Sequence, residues 1–546
     1  MHIQNGIEEN LRFLILEVKK QLERTKAYID NPTLELLDLV LSRDDYVDNL
    51  KSIIQRKCFS SAAQGEDQDP AALDALKAVN VVAANLERIA DFCEKIIRQL
   101  TYVEDEDILR QYEFDDLFRE VIDGVLLIPE AVIAGDVKVA LSLCRVEHRI
   151  DEIYAALFRD ILNDLKTGEH TQSLVTILFI ARYLERMGDS LLNIGEAAVS
   201  AFLGEGIKIE QLDTLERSLA AADLNPRISD LSLAALGETR SGCRIDLVST
   251  RSESDGATMV IFKEGERKKM EQEKAGVDYW DALVPGIAPT IYAHRSDGKS
   301  AALLFEYLDG QTFEQLLLSG TDAELTRALS RLGETLSSVW LKTRRNASAC
   351  LAFSEQIKMR LNDVYAVHPS FANTHGTLAG VEISSFEGLL DKVADIEAKA
   401  SPPCAVLVHG DFNIDNIIFD AKTDRIRFID LHRSSLTDYV QDISVFLVSN
   451  FRLQAFDAPV RRRINRTIRD FHAFTAEFAD GIDDETFELR LALGLARSFV
   501  TSTRFVLDAD FARSMLLRSR YLIEAIADLG PHEYGKFEVP REVMID

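Results

Sequence analysis

The sequence is poor in cysteine, has no excess of basic charge and contains no long apolar run. Its six cysteines lie far apart without a C-x-x-C pair, a pattern typical of free thiols in a reducing cytosol. Lysine and arginine number 62 against 90 acidic residues, and a net charge of −28 argues against nucleic acid and anionic membranes as partners. The longest largely apolar run, Leu174 to Ala181, is far shorter than the roughly 20 residues of a membrane span. The N-terminus also lacks the pattern of a signal peptide, so we expect a cytoplasmic protein.

The hydrophobic period divides the 546 residues into two parts. Between residues 8 and 202 apolar residues recur every three or four positions, which predicts helices. After residue 230 the period becomes strand-like, and Asn225-Pro226 is a turn signal before the change. We predict a helical domain over residues 1–212 in two repeats (about 1–105 and 106–212), a linker over 213–229 that could include a short helix over 212–222, a second domain over 230–535, and a tail over 536–546.

The helical part carries pairs of acidic residues spaced four apart, at matched places in two tandem copies. This spacing puts both carboxylates on one helix face, where like charges are mildly destabilising unless a cation offsets them. For one pair a solvated face is the ordinary explanation, but the repetition favours a metal site. The first copy has Asp44, Asp48, Glu87 and Asp91, and the second has Glu147, Asp151, Glu185 and Asp189.

The two segments LERIAD and LERMGD, with Asn193 four residues after Asp189, resemble the PhoU family of phosphate-signalling proteins. The resemblance covers about residues 1–212 and implies two tandem three-helix bundles. It further implies that the eight acidic residues bind clusters of iron, zinc or another divalent metal, and that a phosphate transporter or sensor is a partner. The first copy departs from the pattern because Lys95 stands where Asn193 stands in the second.

In the second part, the stretch from Val406 to Asp430 reads VLVHGDFNIDNIIFDAKTDRIRFID. It predicts a short strand, a polar turn with Asp411, and a hairpin that begins at Asn416 and ends at Asp430. Phosphoryl transfer needs one Asp to hold the attacking hydroxyl, and an Asn and an Asp to hold magnesium. A plain hairpin with polar ends is the alternative, but H-x-D-x-x-x-x-N followed by a strand-terminal Asp is a long, ordered signature.

The residues upstream of this stretch supply what a nucleotide site would need. The loop GETRSG, with Gly237 and Gly242, could offer N–H groups to phosphates, and Lys263 ends the second strand after it. A charged helix follows, on which Glu273 is the preferred partner for Lys263 and Glu271 the alternative. A buried strand then runs into a predicted adenine-binding hinge, formed by Glu306, Tyr307 and Leu308.

Residues 230–535 resemble the aminoglycoside phosphotransferase and choline kinase family, on the motifs HGDFNIDN, FIDL, EYLDG and the D-x-x-x-D-I segment at Asp438 and Asp442. The resemblance implies a bilobal protein-kinase-like fold with a mixed N-lobe and a helical C-lobe. Carried over by position, Asp411 would be the catalytic base, Asn416 and Asp430 would hold Mg²⁺, and Lys263 would contact the phosphates of ATP. His409 would be a packing support, and Asp442 could cap the following helix.

Two functions fit these features. The first is an ATP-dependent phosphotransferase that acts on a hydroxyl of a small molecule or protein, with the PhoU-like domain as a metal-binding regulatory module. The second is a non-catalytic scaffold of phosphate uptake or signalling whose kinase-like domain only senses nucleotide. The acidity of the chain favours a cationic acceptor, but its identity lies beyond the sequence. A homodimer is compatible with either function.

Overall fold

The computed structural model describes residues 5–63, 70–204, 207–224, 231–236, 243–250, 258–346, 351–372, 376–378 and 381–545. The chain divides into two compact units, Met1–Lys263 and Glu264–Asp546, and the division falls inside a strand, Thr258–Glu266. The predicted domain limits at residues 212 and 230 stay predictions. Among the described residues, no helix combines the length and apolar character that a membrane span requires.

The first unit is mainly helical, as predicted. Its long helices form two successive three-helix bundles, α1, α3 and α4 followed by α6, α7 and α8. The helices are α1 (Asn5–Asp30), α2 (Leu34–Leu41), α3 (Asp44–Ala63), α4 (Pro70–Leu100), α5 (Glu106–Leu109), α6 (Asp115–Ile128), α7 (Val137–Leu165), α8 (Thr171–Leu203) and α9 (Ile209–Ala221). A π-helical turn, Pro129–Ile133, interrupts the chain between α6 and α7.

Glycines set the close packing of the second bundle. A Cβ on Gly195 of α8 would lie 2.5 Å from Cys144 Sγ and 3.0 Å from the Ala140 carbonyl oxygen of α7. A Cβ on Gly124 of α6 would lie 2.6 Å from a methyl carbon of Leu191. Glycine inside a helix costs about 1 kcal/mol relative to alanine, and here it allows the helices to approach closely. Helix α8 ends at Gly204, whose φ of +87° is the left-handed conformation of a helix C-cap.

The region after α8 is partly helical and partly extended. Helix α9 covers the start of the predicted linker, as the sequence allowed. Strands β1 (Leu231–Ala235) and β2 (Arg244–Thr250) pair antiparallel, with Leu233 opposite Val248, and strand β3 (Thr258–Glu266) follows. Five cysteines are buried and form no disulfide with one another: Cys58, Cys93, Cys144, Cys243 and Cys404. Cys350 lies outside the described residues.

The second unit begins with strands and becomes helical, the order predicted for a kinase-like domain. Its helices are α10 (Arg267–Leu283), α11 (Phe313–Ser319), α12 (Asp322–Thr343), α13 (Phe353–Val367), α14 (Phe386–Glu397), α15 (Val440–Phe451), α16 (Ala458–Asp480), α17 (Phe487–Ser502) and α18 (Ala509–Ala527). Its strands are β4 (Ile291–Asp297), β5 (Ser300–Glu306), β6 (Gln311–Thr312), β7 (Gly376–Leu378), β8 (Val381–Ile383), β9 (Val406–Val408), β10 (Ile417–Asp420), β11 (Arg425–Phe428) and β12 (Ser435–Thr437).

Short antiparallel pairs organise the chain around the predicted hairpin. Strands β10 and β11 form that hairpin, with Ile417 opposite Phe428, and β6 pairs with the other edge of β10. Strand β9 pairs with β12, so the segments just before and just after the hairpin lie side by side. Strands β4 and β5 form another hairpin, in which Asp297 lies opposite Ser300 across the turn Gly298-Lys299.

A core of aromatic side chains packs against the β10–β11 hairpin. The ring of Phe412 lies 5.4 Å from that of Phe428 and 6.0 Å from that of Phe446 on α15, measured between centroids. Trp280 of α10 meets Phe428 edge-on, and its indole N–H donates to Ser434 Oγ at 2.8 Å. Buried aromatic pairs of this kind stabilise beyond their area, so the hairpin is fixed against helices on both sides.

A buried ionic group joins α17 to the start of α15. The Arg490 guanidinium contacts Asp484, and its Nε lies 3.4 Å from Asp438 Oδ2; all three side chains are almost fully buried. The Tyr439 hydroxyl also donates to Asp484. Burial raises the pKa of Asp438 to about 6, although the charge of Arg490 opposes that rise. The arginine is therefore the cation on which both carboxylates depend.

Replacing Arg490 by methionine removes that cation and leaves two buried carboxylates without a positive partner. We expect Arg490→Met to lower the free energy of unfolding by about 3–5 kcal/mol at pH 8, and by less at pH 5, below the pKa of about 6 to which burial raises Asp438. Urea unfolding followed by tryptophan fluorescence measures this change in the second unit alone, because the two tryptophans, Trp280 and Trp340, both lie there. Arg469→Met, at an exposed position of α16, is the control, and an equal effect of both changes would contradict the assignment.

Candidate active site

The turn that carries Asp411 is held by a carboxylate from a distant helix. Asp442 Oδ2 accepts the backbone N–H of His409 at 2.7 Å, and Asp442 Oδ1 accepts that of Gly410 at 2.8 Å. Burial raises the pKa of Asp442 to about 7, and the two N–H donors oppose the rise. The expectation that Asp442 caps its helix is wrong, since the carboxylate binds the turn instead; Asp438 accepts the N–H of Val440 at the start of α15.

Gly410 is required by the geometry of this turn. Its φ is +84°, and a Cβ there would lie 2.3 Å from the carbonyl oxygen of Arg433. Both the left-handed conformation and the close approach exclude a side chain. The carbonyl oxygen of Gly410 accepts a hydrogen bond from Gln441 Nε2 at 3.2 Å.

His409 is a buried support, as the resemblance implied. Its Nε2 lies 2.9 Å from the carbonyl oxygen of Ile429, and its Nδ1 accepts the N–H of Asp411 at 3.3 Å. Burial lowers the pKa of His409, so the ring is neutral at pH 7 and the proton is on Nε2. The ring thereby ties the Asp411 turn to the residue just before Asp430.

Asp411 and Asn416 are brought together directly. Asn416 Nδ2 donates to the backbone carbonyl oxygen of Asp411 at 2.9 Å, so the oxygen end of this amide is the end that could hold a metal. Asp411 Oδ1 accepts Asn413 Nδ2 at 2.6 Å, and Asp411 Oδ2 lies 3.1 Å from Arg433 Nη1. The predicted base is therefore an oriented carboxylate at the edge of the site.

Asp430 lies beside two further metal-binding side chains. It adopts a left-handed conformation with a φ of +62°, and His432 Nδ1 lies 3.0 Å from Asp430 Oδ1. Glu273, almost fully buried on α10, completes a group whose ligand atoms all lie within 4.8 Å of one another, the one such group of three in the described parts of the chain. Gly276 allows this approach, because a Cβ there would lie 2.3 Å from the Leu431 carbonyl oxygen. Oxygen ligands of this kind suit Mg²⁺.

Of the other residues predicted to contact the nucleotide, the structure describes some and not others. Lys263 is buried in β3, and its pairing with Glu273 stays a prediction. The alternative, Glu271, is half-exposed and contacts Arg267, so its position favours Glu273. Gly237 and Gly242, predicted to form the phosphate loop, lie outside the described residues.

At the predicted hinge, Glu306 is committed to other contacts. Its backbone N–H donates to the Thr290 carbonyl oxygen at 2.9 Å, and its carboxylate contacts Thr290 and Arg427. Burial raises the pKa of Glu306, but the hydrogen bonds from Thr290 and Arg427 outweigh it and hold the pKa below its ordinary value. Tyr307 and Leu308 follow β5 in irregular backbone, so these two residues are the better candidates to meet an adenine.

In the first unit, the predicted residues form two acidic groups, each on a pair of packed helices. The first acidic group is Asp44, Asp48, Glu87 and Asp91, on α3 and α4. Burial and the charges of nearby carboxylates raise the pKa of Asp44, with Glu94 as a neighbour that the sequence pattern missed. Lys51 Nζ bridges the two helices, 2.7 Å from Asp48 Oδ1 and 2.9 Å from Glu87 Oε1. Lys95 lies 3.7 Å from Asp91, so this group already holds two cations.

The second acidic group is Glu147, Asp151, Glu185 and Asp189, on α7 and α8. Burial, followed by the charges of Asp151 and Asp189, raises the pKa of Glu147 and of Glu185. Its arginines, Arg182 and Arg186, contact Glu185 and Asp189 from the same helix. No lysine bridges α7 and α8 at this group among the ion pairs of the described residues, which makes it the better candidate for a metal.

Both halves of the chain match known families. The family model described as the phosphotransferase enzyme family matches residues 259–478, and the PhoU domain model matches residues 12–100 and 111–198. A turn with H-x-D-x-x-x-x-N, joined to a hairpin that ends in Asp430, is thus set in a domain of the phosphotransferase family. The chain is a fusion of two PhoU domains with a phosphotransferase-family domain.

Individual relatives cover one half or the other. The phosphate-specific transport system accessory protein PhoU of Serratia marcescens is 26% identical over 231 residues, 40% of this chain and 92% of that protein. The PhoU homolog of Caulobacter vibrioides is 29% identical over 189 residues, 33% of this chain and 81% of its own. Among solved structures, PhoU from Pseudomonas aeruginosa is 21% identical, and the match covers 36% of this chain and 95% of that one (TM-score 0.32). Aminoglycoside phosphotransferase APH(3'')-Id from Streptomyces rimosus is 18% identical, and the match covers 59% of this chain and 98% of that one (TM-score 0.33).

Gly410 offers a direct test of the turn. We expect Gly410→Ala to lower the free energy of unfolding of the second unit by about 1–3 kcal/mol more than Gly298→Ala. Both glycines have positive φ, but a Cβ on Gly298 meets no atom within 4 Å, so the comparison isolates the overlap with Arg433. Tryptophan-detected urea unfolding measures both variants, and equal losses would show that the close approach does not exist.

Proposed function

We propose that the protein is an ATP-dependent phosphotransferase that acts on a hydroxyl group, with the PhoU half as its metal-binding regulatory module. The observation that carries the proposal is that the Asp411 turn is bonded directly to Asn416 and, through His409, to the residue before Asp430. Asn416 bonds to the Asp411 backbone, and His409 links Asp411 to Ile429, next to Asp430. The match of residues 259–478 to the phosphotransferase enzyme family supports the same class of reaction.

In the proposed reaction the acceptor hydroxyl oxygen attacks the γ-phosphorus of ATP. The bond from that phosphorus to the oxygen bridging the β- and γ-phosphates breaks, ADP leaves, and the hydroxyl proton passes to Asp411. Asn413 and Arg433 orient the Asp411 carboxylate, and His409 and Asp442 hold its backbone. Positioning of this kind is the main contribution a protein makes to phosphoryl transfer.

Nucleotide and Mg²⁺ binding are assigned to the residues around this turn. Asn416 and Asp430 would hold Mg²⁺, whose charge would neutralise the phosphate oxygens. Lys263 would contact the phosphates, oriented by Glu273, and Tyr307 and Leu308 would meet the adenine. Glu273 and His432 lie against Asp430 and would fix its carboxylate.

The PhoU half links this activity to phosphate. Relatives of this half carry the name phosphate-specific transport system accessory protein, and we propose that a phosphate transporter or sensor is the partner here as well. We assign a divalent metal, such as iron or zinc, to the second acidic group, where burial and then the charges of Asp151 and Asp189 raise the pKa of Glu147 and Glu185. Metal binding would relieve this repulsion.

Replacing Asp411 by asparagine removes the proton acceptor and keeps the size of the side chain. We expect Asp411→Asn to lower transfer of labelled phosphate from ATP to a metabolite extract by at least about 100-fold. Nucleotide affinity, measured by calorimetry, should stay within about threefold of the original, because Asp411 is not a predicted nucleotide ligand.

Asp470→Asn, at an exposed position on α16, is the matched control and should keep full transfer. Retained transfer in Asp411→Asn would refute the role of this residue. Tight nucleotide binding by the unaltered protein without transfer to any acceptor would instead favour a non-catalytic nucleotide sensor.

The metal assignment is tested by elemental analysis of the purified full-length chain. We expect the double change Glu185→Gln and Asp189→Asn to remove at least half of the bound iron, zinc or other divalent metal. The control pair, Asp107→Asn and Asp116→Asn, removes two carboxylates that each contact an arginine three residues later. Unchanged metal content in the first double variant would disprove a cluster at the second acidic group.

A further inference from the structure

The acceptor side of Asp411 is lined by arginines. Arg433 Nη1 lies 3.1 Å from Asp411 Oδ2, and the Arg433 side chain is 57% exposed. Arg497 of α17 donates from Nη2 to Gln441 Oε1 at 2.6 Å, and Gln441 in turn donates to the Gly410 carbonyl oxygen. Arg497 is thus connected to the Asp411 turn through one side chain.

Two more arginines extend this group away from Asp411. Arg360 lies on α13, seven residues after Phe353, and Arg504 lies in the 3₁₀ turn Thr503–Phe505 that follows α17. The guanidinium of Arg497 lies over the Phe353 ring at 5.3 Å, which places α13 and α17 against each other. Arg504 and Arg360 both contact Asp363, at 3.7 and 3.5 Å.

Positive charge is in excess here. Burial lowers the pKa of Arg497 to about 10; the charges of Asp411 and Asp442 oppose this lowering, and the charge of Arg433 adds to it. Burial also lowers the pKa of Arg504, and both Arg360 and Arg433 repel it. The Nε atoms of Arg497 and Arg504 are buried without a hydrogen-bond partner among the described residues. A buried guanidinium with an unpartnered N–H group is costly unless an anion lies beside it.

The carboxylates near this group offset it only in part, because each is shared or engaged by another donor. Asp363 is shared between Arg360 and Arg504, and its side chain is 55% exposed. Asp442 is already engaged by two backbone N–H groups, and Asp411 must face the acceptor hydroxyl. A substrate anion would supply the missing charge.

We propose that the hydroxyl acceptor is itself an anion, whose phosphate or carboxylate group binds Arg497 and Arg504 while its hydroxyl faces Asp411. The proposal rests on the proposed function, because it assigns an acceptor to the same phosphotransferase site. Guanidinium groups bind phosphate and carboxylate through paired, charge-assisted hydrogen bonds. The net charge of −28 suggests a cationic acceptor, but the four arginines reverse the local sign where the acceptor would bind.

The first experiment identifies the charge of the acceptor without knowing its name. The full-length chain is incubated with ATP labelled at the γ-phosphate and with the anionic, neutral and cationic fractions of a metabolite extract. We expect labelled product from the anionic fraction alone. Labelled product from the neutral or cationic fraction alone would overturn the proposal and leave the phosphotransferase function standing.

The second experiment measures anion binding independently of turnover. Inorganic phosphate is titrated by calorimetry into the full-length chain with Mg²⁺ and saturating ADP, which occupies the nucleotide site. We expect Arg504→Gln to weaken phosphate binding by about 10- to 100-fold, the loss expected for one hydrogen bond to a charged group. Arg469→Gln, on the exposed face of α16, should bind as the unaltered chain does.

Together, the two experiments distinguish failure of the anion site from failure of the phosphotransferase function. Phosphate binding that depends on Arg504, with no labelled product from any fraction, would support the anion site and contradict the phosphotransferase function. Phosphate binding that is unchanged in both Arg504→Gln and Arg497→Gln would overturn the anion site. With an anionic acceptor identified, Arg504→Gln should raise its KM by about 10-fold or more and leave the KM for ATP unchanged.

Discussion

Two hydrogen bonds from the backbone to one buried carboxylate fix the geometry on which the candidate site depends. The N–H groups of His409 and Gly410 donate to Asp442, and this places a left-handed glycine between a buried histidine and Asp411. A buried carboxylate is costly unless such donors satisfy it, so the turn and α15 stabilise each other. The role proposed for Asp411 requires that these two hydrogen bonds keep the turn in this conformation.

The turn also explains why distant segments meet at one point. His409 contacts Ile429 at the end of the hairpin, and Trp280 and Glu273 place α10 against the same end. Arg497 of α17 is connected to the turn through Gln441. The proposed proton acceptor, metal ligands and anion site would thus be separate groups that meet around one turn and hairpin, which is the arrangement that phosphoryl transfer needs.

Much of this could be predicted from the sequence because it is local. The order of strand, turn and hairpin from Val406 to Phe428 follows from alternating apolar residues and a polar turn, and the structure places β9, β10 and β11 there. The helical first unit follows from its apolar period, and the fusion of the two families follows from their motifs. Glu273 could be preferred over Glu271 because it shares the face of Val277 and Trp280.

The rest depends on contacts between residues far apart in the chain. Asp442 looked like a helix cap because its bonds to the turn span more than 30 residues, which no local pattern reveals. The arginines of α13 and α17 form a group only after two helices pack face to face. Lys51 could have been noticed, since it stands three residues after Asp48, but its contact with Glu87 requires the bundle.

The most direct test of this account is native-state amide hydrogen exchange at the turn in the unaltered protein and in Asp442→Asn. The asparagine keeps the size of the side chain but offers only one carbonyl oxygen, so it can accept only one of the two N–H groups. We expect faster exchange at the amides of His409 and Gly410 in the variant, with unchanged exchange in β10 and β11. Unchanged protection of both amides in the variant would contradict the claim that Asp442 holds the turn.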